Sequence, residues 1–452
     1  MTKPSVLILS AMAIIPSLTM SNVHAAGLDD AGAHARAASL RAQPLHTSDP
    51  AWFVERADNS TLSISVLAQA RYTASGRAST DFVPADNRET IGFSIPRTRV
   101  SMDGTIVSSQ FNYRLSFDFG DAELSRGRGS GTLSPGSTGA PRMLDAYMQY
   151  NFEGRREGYY LKAGQFGHVI VNEEAIDSAF QLAIDRSLTA ELFGAGYTQG
   201  VALGRVRNNY AWEVSISDGG KYFGAPAPDN SAINDSNEAD IALGGRFDWK
   251  LFGSWDQFTD FTSFRGSNPG AKIGFGVLYQ LQGYTNPDEF TPPFLVAAVK
   301  QSQVVTWTVD YQYEGDGWNF MAAYIGQYVG WTFDEGSLKT QHNALVAQAG
   351  WFISERVEWY GRLESFWIDK QYRNGFGLDN GYIHRFATVG VNYYMLPESH
   401  TAKLSADVSY ALDDTSLLGV GADTLGLPDP ATGFQGLTEG EYVFRLQLQL
   451  LF

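Results

Sequence analysis

From residue 59 onward, apolar and polar residues alternate with a period of two. Leu62, Ile64, Val66, Ala68, Ala70 and Tyr72 share one face of the first such segment, and Ser63, Ser65, Gln69 and Arg71 share the other. Phe111, Tyr113, Leu115, Phe117 and Phe119 stand against Asn112, Arg114, Ser116 and Asp118 in the same way. So do Ile241, Leu243, Phe247, Trp249 and Leu251 against Arg246, Asp248 and Lys250, and Val305, Trp307, Val309, Tyr311 and Tyr313 against Thr306, Thr308, Asp310, Gln312 and Glu314. Alternation over about ten residues exceeds most soluble strands and suits a strand tilted across a bilayer.

Segments of this kind fall near 60–73, 91–106, 109–121, 142–152, 157–166, 197–206, 209–218, 238–252, 271–282, 299–314, 317–330, 340–353, 356–370, 382–394, 401–411 and 439–452. That predicts about sixteen strands, an even number within the bacterial range. Tight turns at Val107-Ser108, Asn208-Asn209, Asp316-Gly317 and Ser354-Glu355 alternate with long connections at 120–141, 218–237, 283–298 and 413–439. Sorting short turns to one end and long loops to the other predicts an all-β chain, a transmembrane antiparallel β-barrel over 59–452. The stretch 167–196 holds two pieces with short-helix character, 172–177 and 184–192, and is long enough to fold into the lumen as a constriction loop.

The N-terminus changes the compartment. Lys3, an apolar run from Val6 to Leu18 and Val23-His24-Ala25-Ala26 read as a secretory signal over 1–25, cut after Ala25 or Ala26. Residues 26–58 are expected to be a linker or a short helix; the sequence does not choose between them. Past the signal no apolar run approaches the ~18 residues of a spanning helix. Cysteine is absent, so packing or a closed hydrogen-bond network must hold an exported chain together. Aromatics reach 13% with 47 Gly, as aromatic girdles and glycine-rich turns require. The net charge of −16 becomes −17 without Lys3 (32 basic against 49 acidic residues), which argues against nucleic-acid binding.

The last segment places Tyr442, Phe444, Leu446, Leu448, Leu450 and Phe452 on one face and Arg445, Gln447 and Gln449 on the other. A terminal aromatic on such a strand resembles the signal read by the bacterial barrel-assembly machinery. Ile95-Pro96-Arg97-Thr98-Arg99-Val100-Ser101-Met102-Asp103-Gly104, Leu144-Asp145-Ala146-Tyr147, Gly164-Gln165-Phe166 with Glu173-Glu174, Gly200-Val201 and Arg445-Leu446-Gln447, in that order, resemble the phosphate-selective porins O and P. The resemblance implies a sixteen-stranded homotrimer in outer-membrane lipid, with an inward third loop and a basic ladder in the lumen. It implies passive diffusion of small hydrophilic solutes, with inorganic anions such as phosphate favoured. The chain departs from the family after Phe166, where Gly167, Val169, Ile170, Val171 and Asn172 replace basic positions.

Alternation assigns lumen faces. Arg71, Arg97, Arg99, Arg114, Lys162 and Arg246 are the candidate pore-lining or anion-contacting groups, followed by Lys250, Lys300, Arg356, Arg362, Lys403 and Arg445. Glu173, Glu174 and Arg186 mark the constriction loop. Arg97, Arg99 and Arg114 form the best local cluster, read either as an anion-contacting rung or as a brace neutralised by Asp118 and Asp145. Catalytic chemistry is not supported. The seven His show no zinc spacing, no Gly-x-Ser-x-Gly elbow occurs, and Gly127-Arg128-Gly129-Ser130-Gly131 lacks a phosphate-loop Lys, so neither metal nor cofactor is expected. The competing reading is a secreted or surface β-protein whose aromatic faces bind glycans or protein partners.

Overall fold

The computed structural model describes residues 52–56, 60–77, 89–120, 141–154, 157–223, 239–284, 299–375, 383–413, 434 and 440–452. The expected signal over 1–25 and most of the 26–58 stretch lie outside the described residues. A short strand, β1 (Trp52–Glu55), is followed by β2 (Thr61–Gly76), β3 (Glu89–Ile106), β4 (Ser108–Asp118), β5 (Arg142–Asn151) and β6 (Gly158–Gly167). Next come β7 (Tyr197–Val206), β8 (Tyr210–Ser217), β9 (Ile241–Phe252), β10 (Gly270–Gln282), β11 (Gln301–Gly315) and β12 (Trp318–Thr332). The chain ends with β13 (Ser337–Phe352), β14 (Val357–Trp367), β15 (Ile383–Tyr394), β16 (Ala402–Ala411) and β17 (Tyr442–Leu451).

Strands β2 to β17 pair antiparallel in chain order, and β17 pairs back on β2, with Tyr442 opposite Gly76 and Leu451 opposite Leu67. The ring of sixteen is therefore closed, which leaves no strand edge unpaired in lipid. Trp52–Glu55 departs from the expected linker or helix: it pairs with β2, Trp52 opposite Ile64, beyond the point where Phe452 ends the last strand.

Side chains sort as the period demands. Phe93, Trp351, Leu363 and Val389 project outward and are exposed, while Gln69, Arg71, Asp310 and Gln449 on the inner face are buried. Apolar-out and polar-in is the pattern of a barrel whose solvent is lipid outside and water within. Register shifts adjust it, two of them near the candidate residues. Gln69 lies opposite Arg97 but Arg71 opposite Ser94, so Ile95-Pro96 forms a bulge in β3. Proline, with no N–H to give the ladder, is tolerated at such a place, and the bulge lets Ser94 and Arg97, an odd number of residues apart, both face inward. A second shift, with Ser116 opposite Asp145 and Phe117 opposite Met143, leaves Leu144 as the extra residue, so that Arg142 and Asp145 both face inward. Gly164 has φ +126°, and a Cβ there would lie 2.2 Å from the Ala146 carbonyl oxygen, so glycine is required between β5 and β6.

Loop lengths are sorted with two exceptions. At the turn end, residues 253–269 make a long connection containing a 3-10 segment, Trp255–Thr259. At the loop end, β12 and β13 are joined by only residues 333–336.

Candidate functional site

The segment 168–196 leaves the wall between β6 and β7. It forms α1 (Asn172–Ala175), a 3-10 turn (Ser178–Phe180) and α2 (Leu188–Phe193), matching the two expected helical pieces. Asp177 accepts from Ala179 N and Ser187 from Ala190 N, so both later turns begin on a capping side chain. Its partners lie far around the ring. The Ile170 carbonyl accepts from Arg246 of β9 at 3.0 Å and from Thr308 of β11 at 2.9 Å, and Asn172 Oδ1 accepts from Lys272 of β10 at 2.9 Å. Ser178 Oγ accepts from Arg99 of β3 at 3.0 Å, the Gln181 carbonyl from Lys403 of β16 at 3.1 Å, and the Asp185 carbonyl from Arg362 of β14 at 3.0 Å. A segment held from β9–β11, from β14 and β16 and from β3 crosses the lumen. Gly276 makes room for it: a Cβ there would meet the Ile170 oxygen at 2.4 Å.

Asp185 is the centre of this arrangement. Arg71 Nη1 and Arg97 Nη1 each stand 2.6 Å from its carboxylate, and Arg445 Nη1 stands at 3.5 Å while also holding Asp407 at 2.7 Å. All are buried. Burial by itself pushes the Asp185 carboxyl up, but the three guanidiniums outweigh it and hold the group well below the usual carboxylate range.

The other predicted groups are also engaged. Arg99 pairs with Asp118 at 2.6 Å, Arg114 with Asp145 at 3.3 Å, and Lys162 with Glu213 at 2.9 Å while its ammonium sits 4.3 Å from the Phe166 ring centre. Arg246 bridges Asp248 at 2.6 Å and Asp310 at 2.7 Å. Arg97, Arg99 and Arg114 thus answer to three different acids, and Arg97 joins Arg71 and Arg445 instead. In the loop, Glu173 accepts from Ser187 N at 3.0 Å and pairs with Arg362 at 3.4 Å. Glu174 accepts from Ala195 N and Gly196 N; burial pushes its carboxyl up, against the pull of Lys221. Arg186 donates to the Glu173 and Ile176 carbonyls, both at 3.0 Å, and so ties the loop to itself. Two of the further candidates lie off the inner wall: Lys300 is exposed and pairs with Asp334, and Arg356 sits in a turn, donating to the Met395 carbonyl.

The sequence reading missed the 253–269 connection, which has no strand period. Its signal is an aromatic at every third position: Trp255, Phe258, Phe261 and Phe264. It folds inward from the turn end. Phe261 N–H donates to the Phe180 carbonyl at 3.1 Å, Gln312 of β11 donates to the Asp260 carbonyl at 2.8 Å, and Thr262 Oγ1 lies 3.2 Å from the Tyr394 hydroxyl of β15. Phe180, Leu182 and Phe261 pack with Leu67, Met321 and Val346 of the wall. The two inward segments therefore meet inside the barrel.

A closed barrel, apolar outside and polar within and crossed by a loop after its fifth long strand, is the context in which the family motifs now stand. The family model for phosphate-selective porin O and P matches residues 71–417. The chain belongs to that family. This porin is accordingly an outer-membrane channel of a Gram-negative bacterium and not an enzyme, which removes the glycan- or partner-binding alternative. Solved structures share its fold at low identity. The outer membrane channel DcaP of Acinetobacter baumannii is 13% identical, with a TM-score of 0.54, covering 88% of this chain and 99% of its own. An anion-selective porin from Comamonas acidovorans is 11% identical (TM-score 0.52, 87% and 100% covered), and OmpT of Vibrio cholerae is 10% identical (TM-score 0.51, 89% and 100% covered). No curated protein matches the porin by sequence.

Proposed function

We propose that this porin gives passive diffusion to small hydrophilic solutes, with inorganic anions such as phosphate favoured, and that the 168–196 loop is its constriction. The family's phosphate selectivity supports the anion, as does the convergence of Arg71, Arg97 and Arg445 on the single loop carboxylate of Asp185. That convergence carries the reading of the loop as the constriction, because it fixes the loop across the lumen. Arg71, Arg97, Arg99, Arg114, Lys162 and Arg246 each have an acidic partner, so the sign preference is modest compared with that of an open basic ladder. A homotrimer in outer-membrane lipid, export by the 1–25 signal and recognition of the Phe452 strand by the barrel-assembly machinery complete the reading; the family supports the first, and residue patterns the others.

The test is the reversal potential of the purified porin in a planar bilayer under a KCl gradient. Chloride is expected to be preferred over potassium by less than about tenfold, with inorganic phosphate lowering the chloride current. Preference for potassium would overturn the anion reading while leaving the diffusion channel intact.

A further inference from the structure

Two inward segments crowd the lumen, and they do so unevenly. On the inner faces of β9 to β17 the charged side chains are buried: Arg246, Asp310, Glu358, Arg362, Asp407 and Arg445 are examples. On β2, Arg71 is buried too, as are Arg97 and Arg99 of β3. Water access to inward charge returns along one strip. Asp103 of β3, Arg114 of β4, and Arg142 and Asp145 of β5 are each partly exposed, with Asn112 of β4 beside them. Among the described residues of the strands, these are the inward-facing charges with the most water access; Asp248 of β9, its side chain at 10%, and Lys272 of β10, at 8%, have less. Register makes the strip continuous: Asp103 is opposite Arg114, Asn112 lies one inward step below it on β4, and Asp145 is opposite Ser116, one inward step above. Beside it the loop presents Asp177, 3.9 Å from Arg99 of β3 and with its side chain 25% exposed, whereas Asp185 is at 3%. The Arg114 and Asp145 side chains are at 12% and 16%, against 0% and 3% for Arg71 and Arg97.

We propose that solutes pass along the inner wall of β3–β5, and that the Arg114–Asp145 pair, with Asp177 beside it, determines which ions cross. The inference rests on the diffusion reading but not on its anion preference. A solute can exchange water for a side chain only where that side chain meets water, so the buried arginines hold the loop while the strip carries the selectivity. The strip presents both signs at 3.3 Å from each other, and its substrate class is therefore small ions and dipolar solutes able to pair with a guanidinium and a carboxylate in turn. Removing either partner should tilt the balance, in opposite directions.

Arg114→Gln and Asp145→Asn, each reconstituted as the full chain, test this through reversal potential relative to the unchanged porin. Arg114→Gln is expected to move the anion-to-cation permeability ratio toward cations by about twofold or more, and Asp145→Asn toward anions by a similar factor. The shifts are read against wild type, so they hold whichever sign wild type prefers. Since the chain has no cysteine, Asn112→Cys supplies a single thiol on the strip. A positively charged thiol reagent added to open Asn112→Cys channels is expected to change the current in discrete steps. Assembled Arg114→Gln and Asp145→Asn channels with the wild-type reversal potential would overturn the proposal. So would Asn112→Cys channels indifferent to the reagent.

Discussion

Asp185→Asn is expected to undock the constriction loop and open the channel. The substitution keeps the shape of the side chain and removes the charge on which Arg71, Arg97 and Arg445 converge. Arg445 would keep Asp407, whereas Arg71 and Arg97 would each lose a carboxylate charge at 2.6 Å, and losing one partner of a buried ionic cluster costs about 3–5 kcal/mol. That cost falls on docking of the loop, because the barrel is closed by its own ladder of backbone hydrogen bonds. Single-channel conductance should rise, and the exposed arginines should make the variant much more anion-selective than wild type. Unchanged conductance and selectivity would show that Asp185 does not hold the loop. The same contact predicts acid resistance. A carboxyl depressed in the folded state contributes stability at every pH above the ordinary aspartate value of about 3.9, and loses it only as pH falls through its lower folded value. Acidification to about pH 5 should therefore leave this clamp intact.

Arg246→Met is expected to weaken the barrel wall itself. The guanidinium donates to Asp248, to Asp310 and to the Ile170 carbonyl, and its side chain is 1% exposed. Without it two buried carboxylates lose the guanidinium that bridges them, while Lys272 stands 3.8 Å from Asp248. The expected loss is about 3–5 kcal/mol, read as a lower urea midpoint for unfolding from detergent micelles. Arg246→Lys keeps the charge but not the planar fork that spans both acids, and should lose less. A midpoint for Arg246→Met equal to wild type would remove Arg246 from the structural role given to it.

Much of the fold is legible in the sequence because lipid imposes a simple rule on it. The alternation of Phe111 to Phe119 or of Ile241 to Leu251 is visible along the chain, since one face must be apolar regardless of what the neighbouring strand is. All sixteen predicted segments correspond to the strands of the ring. β1 escaped notice because four residues are too few to show a period. Within the lumen the rule stops. Alternation points Arg97 inward, but nothing in the order of residues says that it will meet Asp185, eighty-eight positions later, rather than Arg114 on the next strand. Pairing depends on how the loop folds back, and the acids that organise it, Asp177 and Asp185, lie in a stretch without periodicity. The 253–269 segment was hidden for the same reason, although its aromatic repeat is the mark of a buried face.

Arg71, Arg97, Arg99, Arg246, Arg362 and Arg445 are, on this reading, clamps that hold the loop across the lumen. A double-mutant cycle between Arg97→Gln and Asp185→Asn tests that most directly, with unfolding in urea from detergent micelles measured for wild type, both single variants and the double. A coupling free energy of roughly 1–3 kcal/mol is expected for groups in one buried ionic cluster. Additive losses, with a coupling near zero, would contradict the clamp and leave Arg97 as a group facing the solute path.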